Sequence, residues 1–279
     1  MSILEAIILG IVEGLTEFLP VSSTGHLTLA EGLLGLPVDD RSITAFTAVI
    51  QIGAILAVLL FFRTDIARIA VGWGKGLVDR NARTFDYRFG WYVIAGSMPI
   101  GIVGFLAQDV IAGPLRSLWV VAGALVLWSA VMVVGERRAT QERGESETTL
   151  RDVLVIGVLQ CAALVPGVSR SGATISTGLL LGLDRVTATR LSFFLAIPAL
   201  TAAGLYELPN ALEAGGVGLV PTLVGTVVSF VVAYASIAWL LRFVAGHKIT
   251  AFVPYRVVLG LLVAVLLATG LLNDSGGFS

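Results

Sequence analysis

The stretch Glu13-Gly14-Leu15-Thr16-Glu17-Phe18-Leu19-Pro20-Val21-Ser22-Ser23-Thr24-Gly25-His26 sits in the middle of an otherwise apolar run, residues 3–36. Its Pro-Val-Ser-Ser-Thr-Gly segment, 20–25, interrupts any continuous helix. Each remaining arm is short for a bilayer crossing, which takes about 20 apolar residues. The run therefore reads as a helix–loop–helix hairpin that enters and leaves on one side. A second apolar run, 153–183, breaks in the same way at Pro166-Gly167-Val168-Ser169-Arg170-Ser171-Gly172.

Around these hairpins lie six apolar stretches long enough to cross a bilayer, near 46–62, 91–107, 118–135, 192–206, 222–241 and 257–272. The 279-residue chain is 56% hydrophobic and only 13% charged, with a mean hydropathy of +0.93. A soluble domain carries roughly 25% charged residues, so a soluble enzyme is excluded, as are disordered and fibrous classes. A net charge of −1 gives no footprint for nucleic acid. The single Cys161 excludes a disulfide framework and a cysteine metal site, and reads as a small packing residue. No cleavable signal peptide is expected, because the first apolar segment lacks a basic leader and carries Glu5, Glu13 and Glu17. The expected fold is an all-α polytopic membrane protein: one integral membrane domain, 1–279, of six transmembrane helices plus two re-entrant helical hairpins.

The basic residues orient it. With neither hairpin crossing, loops 63–90, 136–152, 184–191 and 242–256 share one side and hold fifteen of the eighteen Lys and Arg. Arg41 and Arg116 fall on the other side, and Arg170 lies inside the second hairpin. The excess of basic loops marks the cytoplasm, which places both termini outside.

The hairpins align at an offset of 147: Gly10 with Gly157, Val21 with Val168, Ser22 with Ser169, Gly25 with Gly172, Glu13 opposite Gln160, and on to Phe46 and Phe193. Gly123 and Gly260 align at 137. Two copies of one hairpin plus three spans result, about 1–135 and 153–272. Three spans per copy give the copies opposite orientation, an inverted repeat with its site where the broken helices meet.

At the tips lie Glu13, Glu17, Ser22, Ser23, Thr24 and His26 from the first hairpin and Gln160, Ser169, Arg170, Ser171 and Thr174 from the second. Ionisable groups at that depth cost at least about 2.5 kcal/mol each, so they mark function. Each second arm begins after a Ser/Thr/Gly loop, an N-cap signature. Two helix N-termini thus point inward and favour an anion such as phosphate, for which Arg170 supplies a planar fork. Glu13 and Glu17, four residues apart near a helix C-terminus, repel each other and call for a cation; Mg²⁺ or Ca²⁺ would suit them. His26 is a candidate acid or base and Ser23 a candidate nucleophile. Ser22, Thr24, Gly25 and Gly172 are candidate substrate contacts, and Gln51 within the span 46–62 is another.

At these residues the chain resembles the bacterial undecaprenyl pyrophosphate phosphatases, the bacitracin-resistance family. The 13–26 stretch looks like that family's glutamate-rich motif, and Pro166-Gly-Val-Ser-Arg-Ser-Gly-Ala-Thr174 looks like its second motif. The resemblance covers nearly the whole chain. It implies hydrolysis of the lipid carrier's diphosphate to the monophosphate, carrier recycling for peptidoglycan, and bacitracin resistance. It implies that Glu13 and Glu17 are metal-associated or catalytic, that Ser23 and His26 are the nucleophile and acid–base positions, and that Arg170 with Ser169, Ser171 and Thr174 holds the pyrophosphate. Attack by Ser23 with His26 as base is the favoured mechanism; attack by His26 itself, or by a Glu-activated water, stays open. The expected partners are the polyprenyl diphosphate and membrane lipids, with no nucleic acid; a homodimer is left open.

Plainer roles compete at several positions. Glu13 and Glu17 could form an ion pair with Arg170, Ser22, Ser169 and Ser171 could be helix caps, and Gln51 could make an interhelical hydrogen bond. Trp91, Tyr92, Trp119 and Tyr255 read as interface anchors, and the charged run 136–152 as a solvated loop. A flippase on the same scaffold is the rival function. The phosphatidic acid phosphatase pattern fails, because no His follows Arg170 until His247.

Overall fold

The computed structural model describes residues 1–36, 40–113, 115, 117–212 and 217–274. Residues 37–39 and Arg116 lie outside the described residues, as does the side chain of Arg41. The helices are α1 Ile3–Thr16, α2 Ser23–Leu33, α3 Arg41–Phe61, α4 Arg63–Val78, α5 Phe85–Leu106, the short α6 Gln108–Ala112, α7 Leu118–Arg138, α8 Leu150–Gln160, α9 Arg170–Leu180, α10 Arg185–Leu212, α11 Leu219–Gly246 and α12 Val253–Ala268. No strand occurs among the described residues. Among the described residues six helical stretches are long and apolar enough to cross a membrane, and each overlaps a span read from the sequence. The protein is an all-α polytopic membrane protein.

Local signals set these boundaries. Ser2 and Glu5 form a capping box at α1, Asp40 accepts from the Ser42 N–H at 2.7 Å at α3, and Thr149 and Asp152 box the start of α8. Both predicted breaks occur. Glu17–Ser22 separate α1 from α2, and a 3₁₀ turn at Cys161–Leu164 plus the following loop separate α8 from α9. Ser22 and Ser169, 147 residues apart, close these loops with φ of 80° and 77°. Such backbone costs a residue with a Cβ about 1–3 kcal/mol.

Small residues let the broken helices sink into the bundle. α1 packs along α11, where a Cβ on Gly10 would come within 2.6 Å of the Gly225 carbonyl oxygen. α8 packs along α5, where Gly157 abuts the Gly96 backbone. α3 packs on α10 and α7 on α12. The start of α8 and the end of α9 meet at Arg143, whose Nη1 donates to Asp152 at 3.0 Å and to the Leu181 carbonyl at 2.9 Å. Met1, Ala6, Leu9 and Leu34 share one apolar cluster, so the ends of the first hairpin also lie together.

Two expectations about loops are corrected. The loop 63–90 contains a full helix, α4, which packs on α5. The run 136–152 is not merely solvated: the buried Glu136 accepts from Arg185 and from the Ile249 N–H at 3.0 Å, and Glu145 accepts from Arg190 at 2.8 Å. Arg190 also reaches Asp65 at 3.1 Å. These contacts draw together all four loops that the basic residues had assigned to one side, with opposite charges compensating where the loops meet.

Candidate active site

The loops 17–22 and 165–169 meet inside the bundle, and each holds the other. The Gly167 N–H donates to Ser22 Oγ at 3.1 Å, and Ser171 Oγ donates to the Leu19 carbonyl at 2.9 Å. Ser169 alone among these serines caps its helix, accepting from the Gly172 N–H at 3.2 Å. Ser22 stands at the N-cap of α2 without capping it. Gly25 and Gly172 are buried at close approaches; a Cβ on Gly25 would lie 3.0 Å from Val121.

Glu17 is the centre. Its Oε1 accepts from Arg170 Nη2 at 3.2 Å, and its Oε2 accepts from Ser23 Oγ at 2.6 Å and from Gln51 Nε2 at 3.4 Å. Both Glu17 and Arg170 are buried, so the pair is poorly screened. Arg170 also donates from Nη1 to the Ser192 carbonyl at 3.1 Å, and Thr174 Oγ1 donates to Ser192 Oγ at 2.7 Å. Arg170 Nε is buried without a partner, as are both carboxylate oxygens of Glu13. Unmet groups of this kind are costly unless a ligand completes them. Gln160, aligned with Glu13, is likewise fully buried with its amide unpaired.

A polar cavity of about 210 Å³ opens beside this centre, lined by Glu13, Ser23, Thr24, Thr28, Glu31 and Gln51 among others. The sequence reading had passed over Glu31, whose position inside α2 resembles an ordinary surface glutamate. For a cation, Glu13 presents two unengaged oxygens, whereas both oxygens of Glu17 are engaged. Among the described residues no three His, Cys, Asp or Glu side chains gather as a metal cluster.

His26 is hydrogen-bonded to the Ser22 carbonyl and to Tyr255 rather than to Ser23. Its Nδ1 lies 2.7 Å from the Ser22 carbonyl, which can only accept, so Nδ1 carries the proton. Nε2 then accepts from the Tyr255 hydroxyl at 2.6 Å, and the two rings stack. Ser23 gives its own proton to Glu17, not to His26. Tyr255, read as an interface anchor, is half exposed and also partners His26.

The neighbouring residue brings the largest correction. Arg256 had been counted as a loop charge, yet it is fully buried. It donates to the Pro20 carbonyl at 3.1 Å, to the Gly167 and Val168 carbonyls at 2.8 and 3.1 Å, and to Ser129 Oγ at 3.2 Å. One guanidinium therefore ties both loops to α7 and α12. It lies in the first turn of α12, pointed inward, where a sequence shows only a basic residue at a span end. Ser192 was missed for the same reason: a serine in an apolar span carries no signal of its partner.

The family model described as bacitracin resistance protein BacA matches residues 6–262. Undecaprenyl-diphosphatase 1 of Streptomyces coelicolor is 58% identical over 276 residues, covering 98% of this chain and 99% of that protein. Undecaprenyl-diphosphatase 3 of Frankia casuarinae is 57% identical over the same shares. Undecaprenyl-diphosphatase of Cutibacterium acnes is 54% identical over 283 residues, covering 98% of this chain and all of that protein. With both motif loops joined at one buried centre and the match running almost end to end, the chain belongs to the bacitracin resistance protein BacA family.

Proposed function

We propose that this membrane protein hydrolyses undecaprenyl diphosphate to undecaprenyl phosphate and inorganic phosphate, recycling the lipid carrier of cell-wall synthesis and so conferring bacitracin resistance. Relatives named for that activity match nearly the whole chain. The observation that carries it here is the hydrogen-bonded series Ser23–Glu17–Arg170 at the junction of the loops. A hydroxyl already donating to a carboxylate, with a guanidinium alongside, is suited to phosphoryl transfer. A lipid flippase needs the anion site but not this nucleophile and base.

In this reading Ser23 Oγ attacks the terminal phosphorus and its proton passes to Glu17 Oε2. The bond from phosphorus to the bridging oxygen breaks, and undecaprenyl phosphate departs with that oxygen. Arg170 and the N-termini of α2 and α9 hold the phosphate charge. Water then attacks the phosphoserine phosphorus: the bond from phosphorus to Ser23 Oγ breaks, and Glu17 returns its proton to that oxygen. His26 Nε2, once Tyr255 swings aside, takes a proton from the water and passes it to the departing phosphate. Direct attack by a Glu17-activated water uses the same groups. Glu13, with Glu17 beside it, would hold a Mg²⁺ or Ca²⁺ ion, which when bound neutralises phosphate charge.

The hairpins are re-entrant in this reading. At 14 and 11 residues, α1 and α2 reach roughly 21 and 16 Å at 1.5 Å per residue, well short of a hydrocarbon core of about 30 Å. The two halves form an inverted repeat, supported by the corresponding Gly10–Gly225 and Gly157–Gly96 contacts and by the paired serines of positive φ. Both termini and the site face outside the cell, where spent carrier is released. The decisive experiment is phosphate release from undecaprenyl diphosphate by purified protein, with acid quenching to trap a phosphoenzyme. Release lost in Arg170→Ala and His26→Ala is expected; no release by wild type with a divalent cation present overturns the hydrolase.

A further inference from the structure

A second cavity, of about 370 Å³, borders the second loop and differs in character from the polar one. Its wall is a stripe of α7, with Trp119, Gly123, Leu127 and Trp128 at helical spacing, closed by Val165 and Val168 of the loop that leads into Ser169 and Arg170. The lining side chains are apolar apart from the indole N–H groups of Trp119 and Trp128, and Nε1 of Trp128 is buried without a hydrogen-bond partner. That indole lies at the loop end of the cavity: a Cβ on Gly172 would meet its Cδ1, the atom bonded to Nε1, at 3.7 Å. Leu127 and Trp119 are exposed on the outer wall, so the cavity opens on the apolar surface of the bundle.

We propose that this groove binds the isoprenoid tail of the substrate next to its diphosphate. The inference rests on the phosphatase reading and adds to it a tail site. Three observations single out an amphiphile with a phosphorylated head. The groove is continuous with the loop that carries Arg170. A separate polar cavity, with Glu13, Ser23 and Gln51 in its lining, gives the charged end of the same molecule matching surroundings. The orphaned Trp128 N–H stands where head and tail meet, where an ester or bridging oxygen would accept from it. The groove's volume is that of a small-ligand pocket, far too small for a whole undecaprenyl chain. It takes the first few isoprene units and leaves the remainder in the bilayer. Burial of those units gives the enzyme its preference for a prenyl diphosphate over a bare or short-chain one.

Gly123 offers a clean test, because a Cβ there meets nothing within 4 Å. Gly123→Phe plugs the groove without striking backbone, and Gly101→Phe, at an equally open position on α5, is the control. The measurement is kcat/KM for farnesyl diphosphate and for isopentenyl diphosphate in detergent, together with tryptophan-to-dansyl energy transfer on adding dansylated farnesyl monophosphate. Gly123→Phe is expected to cut the farnesyl-to-isopentenyl ratio of kcat/KM about tenfold, the size of effect that loss of a few apolar contacts produces. It should also abolish the part of the energy transfer that Trp128→Phe abolishes, while Gly101→Phe keeps the wild-type ratio. Equal loss on both substrates, or an unchanged ratio, overturns the groove. So does displacement of the dansyl probe by an equal concentration of phosphatidylglycerol, which would make the groove a site for ordinary acyl chains. If wild type cleaves neither substrate the hydrolase reading falls, and the energy-transfer arm still decides whether the groove takes a prenyl phosphate.

Discussion

The hydroxyl of Ser23 donates to Glu17 Oε2 at 2.6 Å, while the other oxygen of that carboxylate is held by Arg170. In the proposed mechanism the acceptor of the Ser23 proton is therefore itself fixed by the group that would hold phosphate. Glu17→Gln keeps the side chain's shape but removes its basicity and its charge. Phosphate release is expected to fall by about 10²–10⁴, the usual contribution of a positioned base. Thermal unfolding in detergent should also move to lower temperature, because Arg170 is left as a buried charge without its partner. Full turnover in Glu17→Gln would remove Glu17 from the reaction.

Arg256 bridges the Pro20, Gly167 and Val168 carbonyls, so it is expected to set the distance between the two loops. Arg256→Met leaves several buried acceptors unmet at about 1–3 kcal/mol each, and should destabilise the protein by at least about 3 kcal/mol. Arg256→Lys keeps the charge but not the planar fork, and should recover only part of stability and turnover. The check is unfolding temperature alongside phosphate release for both variants. A Lys variant indistinguishable from wild type would mean that charge alone suffices there.

Much of this site was legible in the sequence, and the reason is chemical contrast. Pro20, Pro166 and the Ser/Thr/Gly loops stand out against apolar runs, and Glu17 and Arg170 have no ordinary place in a bilayer. Repetition at one offset located both tips. What stayed hidden were residues whose type fits a commonplace role. Arg256 and Tyr255 sit at a span end, where a basic residue and an aromatic are the usual orienting and anchoring groups; only the inward turn of α12 gives them the loops and His26 as partners. The pairing of Ser23 with Glu17 rather than His26 depends on which way two side chains point off adjoining helices, and no spacing rule contains that. Helix α4 was hidden because charge along its exposed face resembled a loop.

Ser22 combines two opposed effects, strained backbone at φ 80° and a hydrogen bond from the Gly167 N–H. Two substitutions separate them. Ser22→Ala keeps the strain and loses the bond, so it should destabilise by about 1–3 kcal/mol, the cost of an orphaned buried donor. Ser22→Gly loses the same bond but relieves strain of about 1–3 kcal/mol, and should lie near wild type in stability. Both should lose turnover, because the loops are no longer joined at that point. Chemical denaturation read by tryptophan fluorescence gives the comparison; an alanine variant as stable as the glycine variant would show that no strain is stored at this position.

Asp152 supplies a pH dependence outside the membrane-spanning helices. Burial opposes its charge, but hydrogen bonds from Arg143 and from Thr149 outweigh that and hold its carboxyl below the usual carboxylate range. A group whose folded pKa is depressed stabilises the fold fully above its unfolded pKa, about 3.9 for Asp, and loses that contribution as pH falls through the lower folded value. Because the same carboxylate boxes the start of α8 and meets Arg143 where α9 ends, Asp152→Asn should cost about 1–2 kcal/mol at pH 7, a range that allows for the solvent access of Arg143. The variant's deficit should then shrink as pH drops below about 4, since wild type loses the same interaction on protonation. Unfolding temperatures of the two proteins measured from pH 7 to pH 3 should converge at the acid end. A gap that stays constant over that range would mean the carboxylate's charge contributes nothing and that only its shape matters to the junction of α8 and α9.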